Sequence, residues 1–296
     1  EPGGRGFESL SAHQPSDDLR RIRAAGSGRH PTMLQDFTIF FWLLKLGAFV
    51  NLYFLANTFV PPGNTADPHL LVPAQILFAV SAFRCLFPNQ YKGNVVFHDT
   101  PLSSIFLTRL LATFAEVAFI YQLSHVLRLI NVERLGWVDA LSWLMVVLVV
   151  IAQCFVWGAI LTGRLALYFW EEFGWAILVA ANAVASAGLY PNRSALGDAG
   201  IFIPINLLFG LVYLSWQVAN LRLQIADARR AGETLQPATH VSWQLLGEGL
   251  RRSMHERNQT TDATPWGGLV GLLWMAGYFA TLLPMWAHRI VVVFSQ

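Results

Sequence analysis

The residues best placed to do chemistry are charges stranded in apolar surroundings. Lys45 is flanked by Leu43, Leu44 and Leu46, while Arg109 and Glu116 interrupt the apolar run that begins near Ser103. A charge at the centre of a membrane-spanning helix costs about 2.5–3.5 kcal/mol on insertion scales, so such groups are kept for pairing or for handling ions and protons. Arg109, Thr113 and Glu116 stand at i, i+4 and i+7, one stripe of a helix. That stripe is expected to face protein rather than lipid. Lys45 and Glu116 each lie near the middle of their stretch, so the pattern allows an ion pair between them. Such a pair has two uses: a relay for an ion or proton, or a structural contact that docks one helix on another.

A second set is Glu171 and Glu172, inside the segment Phe169-Trp170-Glu171-Glu172-Phe173. Adjacent helical residues point about 100° apart. One carboxylate is therefore expected to turn inward to a cation such as Arg109, and the other toward headgroups and water. With His98 and Asp99 they offer an acid/base or metal-binding set at the membrane surface. The bland alternative is that Asp99 or Thr100, ahead of Pro101, caps a helix, which leaves His98 unexplained. His69, His125 and His288 fall near helix ends on one side, and two imidazoles on facing helices can ligate haem iron. No spacing selects a pair, and His125 projects opposite Arg109 and Glu116, so it belongs to a different site. The sequence names no cofactor. It contains no HExxH, histidine run, paired aspartate-rich motif or phosphate-cradling glycine loop. Cys85 and Cys154 have no ligand spacing and are expected to be ordinary buried thiols.

The elements that must carry these groups are seven stretches of mostly apolar residues, at roughly 34–57, 69–87, 103–130, 138–161, 173–190, 201–221 and 267–293. About 20 such residues cross a bilayer as a helix, and backbone in lipid must satisfy its own hydrogen bonds. The expected fold is all-α, a polytopic integral membrane bundle of seven transmembrane helices. Residues 1–33 form an extramembrane tail and 34–222 a six-helix membrane region; 223–265 is an inner loop, and 266–296 hold the seventh helix and C-terminus. Breaks such as Pro61-Pro62-Gly63-Asn64 and Pro191-Asn192-Arg193 separate the spans. Residues 165–170 read either as first turns of the fifth helix or as an aromatic strip at the interface. Fourteen basic residues flank one set of helix ends and four the other. This places the N-terminus inside and the C-terminus outside.

With 54% hydrophobic and 13% charged residues the chain does not describe a soluble globule, and a net charge of +2 makes no case for nucleic acid. Its partner is the lipid bilayer, with other membrane subunits as further candidates; organelle and bacterial inner membranes fit equally. Within the inner loop, Trp243, Leu246, Leu250 and Met254 share a helical face, with Arg251, Arg252 and Arg257 on the remainder. That pattern suits a helix lying on the headgroup surface, or one that binds a partner. Asn192-Arg193-Ser194 matches the glycosylation triplet.

Three functions fit these observations. The first moves a small solute or ion along a polar path lined by Lys45, Arg109, Thr113 and Glu116. In the second, the chain is a subunit of a larger membrane complex and the charges keep helices in register. The third is an enzyme on a lipid or isoprenoid, using His98, Asp99 and Glu171 or Glu172. No catalytic motif argues for the enzyme.

Overall fold

The computed structural model describes residues 36–61, 67–236 and 241–295. The tail expected at 1–33 and the Pro62-Gly63-Asn64 turn lie outside the described residues. Helices α1 (Thr38–Asn57), α2 (Pro68–Leu86), α3 (Ile105–Ile130), α4 (Gly136–Thr162), α5 (Ala166–Leu189) and α6 (Phe202–Arg230) come first, followed by a short α7 (Trp243–His255). A last crossing is broken into α8 (Gly268–Met275), a π turn (Ala276–Ala280) and α9 (Leu282–Val293).

Among the described residues, six continuous helical stretches are long and apolar enough to cross a membrane, and one of them, Ala166–Arg230, spans 65 residues. That stretch holds both α5 and α6, joined by the 3-10 turns Tyr190–Ile201. The two helices run antiparallel: Asn206 donates to Ser186 Oγ at 3.1 Å, while Gln217 donates to Glu172 at 2.8 Å. The fold is therefore an all-α bundle with seven apolar crossings. Exposed Trp42, Phe49, Phe114, Val147 and Leu211 coat its outside, as a surface solvated by lipid requires.

Local chemistry explains the element ends. Asp67 accepts from the His69 amide at 2.9 Å, with Pro68 at the first helical position of α2. Gly163, at φ 75°, closes α4 in the left-handed conformation that glycine adopts freely. The break in the last crossing has its cause in Pro284. Proline has no N–H for the carbonyl four residues earlier and its ring crowds that carbonyl, which here belongs to Ala280, the last residue of the π turn. Thr281 absorbs the misfit at φ −132°, ψ −80°, and its hydroxyl donates to Ala276 O at 3.0 Å. Asn51 donates to Phe279 O at 2.9 Å, so α1 also supports the broken segment.

One end of the bundle is capped. Strands β1 (Asn89–Gln90), β2 (Val95–Val96) and β3 (Asn258–Gln259) form a small sheet, β1–β2 antiparallel and β2–β3 parallel. Beneath it Trp266, fully buried, lies 4.4 Å from the Phe41 ring and donates to Thr260 O at 2.8 Å.

Several expectations need correction. Of the two readings of residues 165–170, that of first helical turns holds, so α5 begins at Ala166 rather than near 173. Helix α6 continues to Arg230 rather than ending at 221, because Gln224, Ala226, Ala228, Arg229 and Arg230 are good helix formers and Asp227 pairs with Lys92 at 3.1 Å and Arg230 at 2.7 Å. The seventh helix is not continuous. Finally, Cys154 is exposed, whereas Cys85 is buried as expected.

Candidate functional site: a buried charge cluster beside a broken helix

The stripe on α3 faces the bundle interior. Arg109 is 2% exposed and Glu116 7%. Arg109 Nη2 meets Glu116 Oε2 at 2.8 Å and Nη1 meets Oε1 at 3.3 Å, a fork-to-fork pairing. Gln153 of α4 closes the pair into a ring: its amide donates to Glu116 Oε2 at 2.9 Å, and its oxygen accepts from Arg109 Nη2. Thr113 Oγ1 donates to Arg109 O at 2.9 Å and accepts from Trp157 Nε1 at 3.0 Å.

Two further helices bring charge to this ring. Arg84, in the last turn of α2, approaches Glu116 Oε1 at 3.9 Å and donates to Tyr91 Oη at 3.1 Å. Its guanidinium lies 3.8 Å from the Phe279 ring centre, within cation–π range. Phe279 belongs to the π turn, so the charge cluster and the break in the last crossing touch. Glu171 of α5 stands 3.9 Å from Arg109 Nη1. Its neighbour Glu172 accepts from Gln217 of α6 at 2.8 Å, and Gln217 accepts in turn from Asn220 at 3.2 Å. The cluster thus combines the guanidiniums of Arg84 and Arg109 with the carboxyls of Glu116, Glu171 and Glu172. Carboxyls outnumber guanidiniums by one.

The chain matches no family model, no curated protein and no solved structure.

The remaining candidates are placed elsewhere. Lys45 does not pair with Glu116: its Nζ lies 3.8 Å over the Trp42 ring and 5.5 Å from the Phe97 ring. Trp42 is one helical turn earlier on the same face, so a local cation–π contact replaces the expected long-range pair. Glu172 does not turn to water, because Gln217 from the next helix captures it. Asp99 is not the cap of α3. Ser104 takes that place, accepting from Leu107 N at 3.4 Å, while Asp99 pairs with Arg257 at 2.6 Å. His98 sits among the rings of Trp42, Phe87 and Phe97. Burial, helped by the Lys45 charge, pushes its pKa below the usual histidine value. His98, Asp99 and the two glutamates thus have separate partners. No group of three His, Cys, Asp or Glu able to hold a metal ion occurs among the described residues.

His69 and His125 meet at the uncapped end, their ring centres 5.2 Å apart. Tyr121 Oη lies 2.9 Å from His69 Nδ1, and Asp67 Oδ2 lies 2.7 Å from His125 Nε2. Rings this close leave no room for a porphyrin plane between them. His288 stands apart, stacked on Phe54 at 4.3 Å. Burial works to raise the Asp67 carboxyl, but bonds from the His69 amide and the His125 ring outweigh it and hold the pKa below the usual value.

Sequence reasoning overlooked Arg84, Gln153 and Gln217. Arg84 lies close enough to a helix end to read as a flanking charge. Gln153 and Gln217 carry a usable signal: each is a lone amide in an apolar run, and in lipid such a group seeks a partner on another helix.

Proposed function

We propose that this membrane protein moves a small cation, the proton foremost, through the cluster formed by Arg84, Arg109, Glu116, Gln153 and Glu171. The observation that carries the reading is a set of three carboxyls, buried Glu116 and half-buried Glu171 and Glu172, against two buried guanidiniums, in contact with a broken helix. A net negative charge in a low-dielectric interior must be neutralised, and a proton or small cation does so reversibly. Broken helices at membrane depth recur where ions are handled, because they supply backbone groups and a hinge. Here Arg84 joins charge to break, since it faces Glu116 on one side and Phe279 on the other. The surplus of arginine at the capped end supports placing that end on the inner side.

The test is flux in proteoliposomes loaded with a pH-sensitive dye. Wild type should dissipate an imposed proton gradient, and Glu116→Gln should abolish that flux while eluting as a folded, monodisperse particle. Flux equal to wild type in a folded Glu116→Gln protein would reduce the cluster to a packing device and favour an assembly subunit.

A further inference from the structure

Helix α7 presents three different faces. Gly249 and Ser253 are buried against the bundle. Gly249 lies so close to the Leu161 carbonyl that a Cβ there would overlap it, and Arg252 donates to Ile160 O at 3.4 Å. At 100° per residue, Gln244, Glu248, Arg251 and His255 form a second face, all exposed. Trp243, Gly247, Leu250 and Met254 form a third, apolar and also exposed, with Trp243 87% accessible. Protein, water and hydrocarbon each have a face, the arrangement expected of a helix at the headgroup boundary.

Under the apolar face is an open groove of about 510 Å³. Phe106 from the first turn of α3 and Trp157 and Leu161 from the last turns of α4 form one wall; Trp243, Leu246 and Leu250 form the other. Leu110 and Phe114 continue the Phe106 face of α3 at i+4 and i+8, and Val150 continues the Trp157 face of α4 seven residues back; all three are exposed, on faces apolar enough to meet lipid. Arg252 and Arg257 are engaged with Ile160 O and Asp99. Arg251 makes no ion pair among the described residues and follows Leu250 directly on the polar side.

We propose that this groove seats an acyl chain of an anionic phospholipid whose headgroup meets Arg251. The occupant is argued from continuity: the groove opens on a surface already solvated by lipid tails and ends beside a cation at headgroup depth. An apolar slot of this kind gains free energy from hydrocarbon in proportion to the area covered. One wall residue, Trp157, also donates to Thr113 of the charge cluster, so the groove lies a single side chain from the candidate site.

The test uses the full chain in phosphatidylcholine nanodiscs doped with a phosphatidylglycerol or phosphatidylcholine probe bearing a photoreactive acyl tail, with adducts mapped by mass spectrometry. Wild type should be labelled on the α7 and Trp157–Leu161 peptides, with the phosphatidylglycerol probe favoured. Gly247→Leu is the plug, since a Cβ at Gly247 meets nothing within 4 Å and the helix gains propensity. It should remove the groove adducts and leave those at Val147 and Leu211, exposed elsewhere on the bundle. Arg251→Gln should reduce the preference for the anionic probe about five-fold, the effect of one cation near the headgroups. Groove labelling unchanged by Gly247→Leu overturns the proposal. So does a groove that resists both probes while cross-linking to a second protein chain. An Arg251→Gln protein that keeps its full preference overturns the assignment of the headgroup.

Discussion

Helix α3 carries an arginine toward each end, and the two are stabilised by different means. Arg109, near the capped end, is held by a fork of two bonds to Glu116, by the Gln153 amide, and by Glu171 from a third helix. Arg128, at the other end, donates to the hydroxyls of Ser124 and Ser142 at 2.6 and 3.0 Å and lies 4.2 Å over the Trp143 ring. The difference is one of depth. A guanidinium far from water needs formal opposite charge, because Coulomb attraction must offset a large desolvation cost. One near the headgroups needs only neutral acceptors and a π face. Two-bond pairing of an arginine with a carboxylate is thus found, among the described residues, only in the interior, and the surplus carboxyl there is a feature that the surroundings of Arg128 lack.

The comparison breaks first if the two arginines respond alike to removal. Arg109→Met strips Glu171 of its cation and leaves Glu116 only the longer 3.9 Å contact to Arg84, and is expected to cost about 3–5 kcal/mol of stability, read as a fall in detergent unfolding midpoint. Arg128→Met should cost no more than about 1 kcal/mol. Equal losses would contradict the depth argument. Adding Glu116→Met to Arg109→Met should recover most of the loss, since both buried charges then disappear together. Next in size is Gln153→Leu, which removes an amide bonded to charged groups and should cost about 1.5–3 kcal/mol by the same assay. At the uncapped end, Asp67→Asn weakens the bond to His125 and should cost about 1 kcal/mol.

The smallest effect concerns pH at the capped end. His98 has a folded pKa below its ordinary value of 6.5, with burial the main cause and Lys45 second. The unfolded chain therefore takes up the proton first. Stability is fully present above about pH 6.5 and declines as pH falls toward the folded pKa. Midpoints measured across that window should show the decline in wild type and a flatter profile in His98→Phe.

What was legible followed from periodicity. Seven apolar runs gave seven crossings, and the i, i+4, i+7 stripe placed Arg109, Thr113 and Glu116 on one inward face. Helix α7 was legible too, because Trp243, Leu246 and Leu250 repeat at helical spacing. Partner choice was not legible, since it depends on how helices rotate about their axes. Lys45 matched Glu116 in depth but turned to Trp42 on its own helix. Asp99 matched a cap signal but bonded to Arg257, far along the chain. The break in the last crossing left a local trace in Pro284, whose conflict with the Ala280 carbonyl follows from proline geometry alone.

The central claim, that the surplus carboxyl at the capped half is the working group, is tested most directly by proton flux through matched variants at the two ends. Glu171→Gln touches only a 3.9 Å contact to Arg109, so it should fold as wild type does, yet it makes carboxyls and guanidiniums equal in number. Asp67→Asn removes a carboxylate from the opposite end. The account predicts flux lost in folded Glu171→Gln and retained in Asp67→Asn; full flux in both, or loss in both, would contradict it.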